Sequence, residues 1–151
     1  MSSAPEHIFL DTNVYIIGSA YQDSAEAAIL HWAGIDQDHP GPVEIIVSDE
    51  LFEQILRVAR RLRSKDWGGE LLGRIWQCLR LRYVLLDTQE IAELEATSRI
   101  PREDVGVYMT ARRGNAGCFV SANHQLIRTL AENTGEFKCL TPKEFVQKYL
   151  R

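Results

Sequence analysis

His7-Ile8-Phe9-Leu10-Asp11-Thr12-Asn13-Val14 closes a short apolar run with a carboxylate and two small polar residues before apolar sequence resumes. A run of this kind reads as a buried strand, which places Asp11 where the chain leaves a sheet. In open α/β sheets that carboxyl edge is where ligands bind. A carboxylate there needs a cation or hydrogen-bond donors, because desolvated charge is costly alone. Thr12 and Asn13 carry short side chains that can cap a following helix or bond to Asp11, and Asp11 could itself be only a helix cap.

Working outward, strand-like and helix-like segments alternate. Strands are predicted at 8–10, 43–47, 83–86, 118–120 and 137–140, and helices at 24–35, from Ser48 onward, 71–81, 89–96, 101–113, 123–131 and from Pro142. The helix after Ser48 has the apolar stripe Leu51, Ile55, Ala59 and Leu62, and Trp67-Gly68-Gly69 is taken as a break before the next helix. Strands alternating with helices of this length imply βαβ units: a three-layer α/β/α sandwich on a mainly parallel sheet.

The chain has 151 residues, 45% hydrophobic and 25% charged, with a net charge of −4. These values fit one domain spanning 1–151 and exclude disordered and membrane-spanning classes. The N-terminus lacks the pattern of a signal peptide. Cys78, Cys118 and Cys139 are odd in number and lie among apolar residues, so they read as buried thiols in a reducing cytoplasm. Four scattered histidines show no metal spacing; His124, beside Asn123, could touch a substrate or be a helix-start surface residue. Trp32, Trp67 and Trp76 read as core or interface aromatics.

Charge is unevenly placed. From Arg57 to Arg82 eight cations, including Arg57, Arg60, Arg61 and Arg63, face only Asp66 and Glu70, a local balance of +6. Such a segment can attract a phosphate backbone or be a solvated helix face. Asp104 opens a helix near the same strand edge, where an acid also suits the helix dipole. Phe119-Val120-Ser121-Ala122-Asn123 ends the fourth strand with small polar groups. Oxygen ligands converging there would suit Mg²⁺ or Mn²⁺. Ser121 has no His–Asp pairing, so it is expected to orient a water or a phosphate.

These residues resemble a known family. Ile8-Phe9-Leu10-Asp11-Thr12-Asn13 resembles the opening motif of PIN domains, the ribonuclease fold shared by VapC-type toxins. Asp104 to Ala111 is similar to their central helix, Phe119 to Leu126 to their late strand, and Thr141-Pro142-Lys143-Glu144-Phe145 to their closing turn. The matches run in order from Ile8 to Phe145. Two family acids are missing: the late one is Asn123, and strict register puts Gln54 at the second-helix position. Glu50, one turn before Gln54 on the same side, is the better stand-in. Glu53 lies about 160° from Ile55 and could instead pair with Arg57 on the surface.

The resemblance implies a divalent-metal-dependent endoribonuclease that cleaves RNA with a metal-activated water, as in the toxin of a toxin–antitoxin pair. Asp11 and Asp104, with Glu50 and Asn123, would form the site; Asp11, Asp104 and Asn123 would hold the metal; Arg57, Arg60, Arg61 and Ser121 would contact RNA. An antitoxin protein and a homodimer are the implied partners. The other reading is a degenerate PIN module that binds RNA or a protein without cleavage.

Overall fold

Ile8, Phe9 and Leu10 are completely buried at the centre of a five-stranded sheet. The computed structural model describes residues 3–150. In chain order the elements are β1 (His7–Leu10), α1 (Thr12–Ala20), α2 (Ala25–Ala33), β2 (Glu44–Val47), α3 (Asp49–Leu62), α4 (Lys65–Cys78) and β3 (Leu81–Tyr83). They continue with α5 (Thr88–Thr97), a 3₁₀ turn (Arg102–Asp104), α6 (Val105–Arg113), β4 (Cys118–Val120), α7 (His124–Asn133), β5 (Lys138–Leu140) and α8 (Pro142–Phe145), followed by a wider helical turn over Val146–Leu150.

The strand order is β3-β2-β1-β4-β5 and every pairing is parallel, so the sheet is wholly rather than mainly parallel. Helices cover both faces in the expected three layers. Covering both faces explains why β1, β2 and β4 read as continuous apolar runs rather than alternating ones. Because parallel crossovers are right-handed, the chain must change direction where β1 meets β4.

The structure corrects several local expectations. A helix, α1, fills Thr12–Ala20, a stretch the sequence left without an element. Trp67-Gly68-Gly69 does not break the chain: α4 runs through it, started by Ser64, whose Oγ accepts from Trp67 N at 3.1 Å. Gly68 is there for proximity, since a Cβ on it would sit 3.0 Å from the Ala59 Cβ of α3. The third strand is Leu81–Tyr83, two residues earlier than predicted, and the preceding helix stops at Cys78. Leu79 N–H bonds Ile75 O as a helix end, and Ile45 N–H then takes the Arg80 carbonyl into the sheet. The late helix starts at Val105 after a 3₁₀ turn, not at Pro101.

Leu62 leaves the buried stripe and is 59% exposed. Of the thiols only Cys118 is fully buried; Cys78 and Cys139 are half-buried. Trp32 and Trp67 pack against the core, whereas Trp76 is 52% exposed, stacked on Tyr83 with ring centres 5.9 Å apart.

Candidate active site

Asp11 follows β1 directly and Ser121 follows β4, so the neighbouring strands deliver both to one edge of the sheet. Asp11 is 6% exposed, and each of its oxygens meets a donor. Oδ1 accepts from Thr12 N at 2.8 Å; Oδ2 accepts from Ser121 Oγ at 2.8 Å and from Asn13 Nδ2 at 3.4 Å. Asn13 clasps the two strand ends. Its Nδ2 also donates to Ser121 Oγ at 3.0 Å, and its Oδ1 accepts from Ala122 N at 2.9 Å.

Ser121 Oγ accepts a further bond from Asn123 N at 3.0 Å. One donation and two acceptances exhaust a hydroxyl. The expectation that Ser121 orients a water or a phosphate is therefore corrected: its hydroxyl holds the Asp11 carboxylate.

Asp104 stands at the entry to α6, half-buried, and caps no backbone N–H. Burial, then the charge of Asp11, then that of Glu103, push its pKa up to about 6. Burial also raises the pKa of Asp11, against the pull of Ser121, Thr12 and Asn13. Among the described residues neither carboxylate belongs to an ion pair. Two acids that disfavour each other's charge, with no cation beside them, form a site that a cation would stabilise.

The two carboxylates open on a cleft of about 330 Å³. Gln54 and Asn123 complete its polar side; Ile16, Ile17, Val58 and Leu62 of α1 and α3 make the other wall. Gln54, where the family pattern has an acid, does face the site, and its Oε1 accepts from the Thr12 hydroxyl. Asn123 caps α7, its Oδ1 accepting from Leu126 N at 3.1 Å.

Glu50 lies outside the cleft lining, against α6: its Cβ is 3.6 Å from the point where a Gly106 Cβ would stand. A second polar lock sits nearby. Thr110 Oγ1 donates to Gly106 O at 2.8 Å, so the 2.7 Å bond between Ser48 and Thr110 must be donated by Ser48. It ties the start of α3 to α6 and so fixes Gln54 relative to Asp104. Glu53 is exposed.

The basic segment does not form one face. Arg57, Arg60 and Arg61 are exposed on α3; Arg74 lines a different cavity beside the α1–α2 corner; Arg82 donates to Gly114 O at 2.9 Å. Counting about 100° per residue from Gln54, Arg61 lies nearest the cleft, Arg57 next, and Arg60 far round the helix.

The donor set suits one hard dication better than two. Two unpaired carboxylates match Mg²⁺ or Mn²⁺ preferences, while the amides of Gln54 and Asn123 add no charge for a second ion. Among the described residues no three His, Cys, Asp or Glu side chains converge as a ready cage. Sequence reasoning passed over Asn13 as a strand clasp, although its place two residues after Asp11 was the available signal. Tyr15 was also missed: its hydroxyl is buried without a protein partner among the described residues, and burial and the Asp11 charge raise its pKa.

No protein-family model matches the sequence, and no curated protein does either. Solved structures do. The chain is similar to one in the VapBC2 complex from Rickettsia felis bound to a DNA fragment from its promoter, with 14% identity and a TM-score of 0.60 over 89% of this chain and 98% of that one. It is similar to one in VapBC-1 from nontypeable Haemophilus influenzae, with 11% identity and a TM-score of 0.60 over 91% and 98%. A chain of FitAcB from Neisseria gonorrhoeae matches at 15% identity and a TM-score of 0.56 over 90% and 98%. Together with the strand order and the helices on both faces, the likeness identifies the fold of this chain as that of the PIN domain.

Proposed function

We propose that the chain is a divalent-metal-dependent endoribonuclease and the toxin of a toxin–antitoxin pair. One observation carries this reading: Asp11 and Asp104 share a cleft at the carboxyl edge of the sheet with raised pKa values and no cationic neighbour. The fold shared with VapBC chains supports the toxin assignment.

Asp11 and Asp104 would hold the ion, which when bound supplies an activated water and neutralises charge on the phosphate. The chain's own residues do the rest. Ser121 and Asn13 occupy Oδ2 of Asp11 and fix its rotamer, and with Thr12 N on Oδ1 they leave Oδ1 one lone pair for an ion. The Ser48–Thr110 bond holds α3 against α6, setting the width between Gln54 and Asp104. Arg61, and Arg57 beside it, supply positive charge along the approach for an RNA backbone. Glu50, outside the cleft lining, contributes through its packing on α6.

Trp76 and Tyr83 are exposed aromatic rings stacked on each other, which supports a protein partner, an antitoxin or a second copy of this chain. Among the described residues no helix is long and apolar enough to cross a membrane.

The replacement of two family acids by Gln54 and Asn123 favours a second reading, a PIN module that binds RNA or a protein without cutting it. Calorimetric titration of Mn²⁺ into wild type and Asp11→Ala, followed by incubation with RNA, separates the two. Binding and cleavage that are both lost in the variant support the nuclease. Mn²⁺ binding without cleavage supports the degenerate module, and no Mn²⁺ binding to wild type overturns the metal site.

A further inference from the structure

We propose that Asn123, assisted by Gln54, donates amide N–H hydrogen bonds to the non-bridging phosphate oxygens of an RNA strand in the Asp11–Asp104 cleft, and does not ligate the metal. The inference rests on the RNA reading above and names the groups that would grip its backbone.

The orientation of Asn123 follows from its capping bond. A backbone N–H can only donate, so the atom 3.1 Å from Leu126 N is the amide oxygen. The oxygen is thereby turned into the first turn of α7, and Nδ2 takes no part in that cap. Asn123 lines the cleft, and among the described residues its Nδ2 donates to no protein acceptor. Gln54, on the same polar side of the cleft, repeats the arrangement: Oε1 accepts from the Thr12 hydroxyl, and among the described residues Nε2 donates to no protein acceptor.

Two NH₂ groups therefore share the cleft with two carboxylates. An NH₂ group repels a cation and attracts an anion, so these positions suit the partner of the metal rather than the metal. The division makes chemical sense: carboxylates take the ion, and the amide donors take the oxygens of the phosphodiester that the ion also attracts. An acid at either position would instead repel the substrate backbone until a second ion was bound.

The test uses Asn123→Ser and Asn123→Asp, because Ser and Asp cap a helix about as well as Asn and leave α7 intact. A fluorescently labelled single-stranded RNA of about ten nucleotides is titrated by anisotropy with Ca²⁺ present, gels verifying that it stays whole. Mn²⁺ affinity is measured calorimetrically on the same proteins without RNA.

The expected result is a rise in RNA Kd of about tenfold in Asn123→Ser and more in Asn123→Asp, with the Mn²⁺ affinity of Asn123→Ser unchanged. Unchanged RNA affinity in Asn123→Ser overturns the inference, as does a loss of Mn²⁺ affinity in that variant. A wild type that binds Mn²⁺ but no RNA overturns the RNA reading itself, so the two failures are told apart.

Discussion

Ser121 Oγ donates a 2.8 Å hydrogen bond to Asp11 Oδ2 across 110 residues of sequence. The bond joins the ends of β1 and β4 and stabilises a carboxylate that is almost entirely out of water. Ser121→Ala leaves that carboxylate one donor short, at a cost of about 1–3 kcal/mol. The expected drop is about 2–4 °C in melting temperature per kcal/mol, with weaker Mn²⁺ binding, and Ser121→Thr should retain most of both. Calorimetric unfolding with and without Mn²⁺ checks this.

Asp104 gives a pH dependence whose sign is fixed by its raised pKa. Between about pH 4 and 6 the folded chain holds a proton that the unfolded chain has lost, so stability falls as pH rises through that window. Above it the charged Asp104 costs on the order of 1–2 kcal/mol after allowance for its solvent-facing side. Asp104→Asn should therefore melt higher than wild type at pH 7.5 without metal and nearly equal to it at pH 4. Equal melting points at pH 7.5 would contradict the burial and the Asp11 charge that raise its pKa.

The same protonation competes with metal. Mn²⁺ affinity should fall as pH drops below about 6, since the ion must displace the proton on Asp104. Gln54→Glu places a third charge in the cleft and should tighten Mn²⁺ about tenfold, roughly the 1.4 kcal/mol expected from one more charged partner. Titrations at pH 5, 6 and 7.5 read both effects.

Arg61 and Arg60 are adjacent in sequence and separate in space. Arg61→Ala should weaken RNA binding and reduce the slope of log K against log salt by about 0.7, the value for one phosphate contact on a single strand. Arg60→Ala should leave the slope unchanged. Equal losses from the two would place the RNA path over the outer face of α3 instead.

The glycines of α4 divide by environment. Gly73 has nothing within 4 Å of a built Cβ, whereas Gly68 would meet the Ala59 Cβ at 3.0 Å. Gly73→Ala should stabilise by up to about 1 kcal/mol through helix propensity. Gly68→Ala should lose that gain to crowding against α3, so Gly73→Ala should melt higher than Gly68→Ala.

The sheet was legible because its central strands are short apolar runs, and Asp11 because it ends one of them. Asp104 was visible as the acid opening a helix at the same edge. What local sequence could not supply is whatever depends on a distant partner. The glycines of α4 look like a break until Ala59 is seen to need Gly68 beside it. Gln54 looks like a lost acid until Thr12 is found holding its oxygen. Ser121 looks free until its neighbours occupy every lone pair. The basic run looked like one surface because sequence proximity hides helix phase, which sends Arg60 and Arg61 to different sides.

The clasp between Asn13 and Ala122 also has a temporal meaning. Asp11 emerges from the ribosome early, but Ser121 and Ala122 follow only when most of the chain has been made. Until β4 inserts beside β1, Asp11 lacks the Ser121 hydroxyl, and Asn13 lacks the Ala122 N–H that holds it in place. A nascent chain thus carries Asp11 long before it carries the strand end that completes the carboxylate's surroundings, so the order of synthesis makes this edge of the sheet one of the last parts of the fold to close.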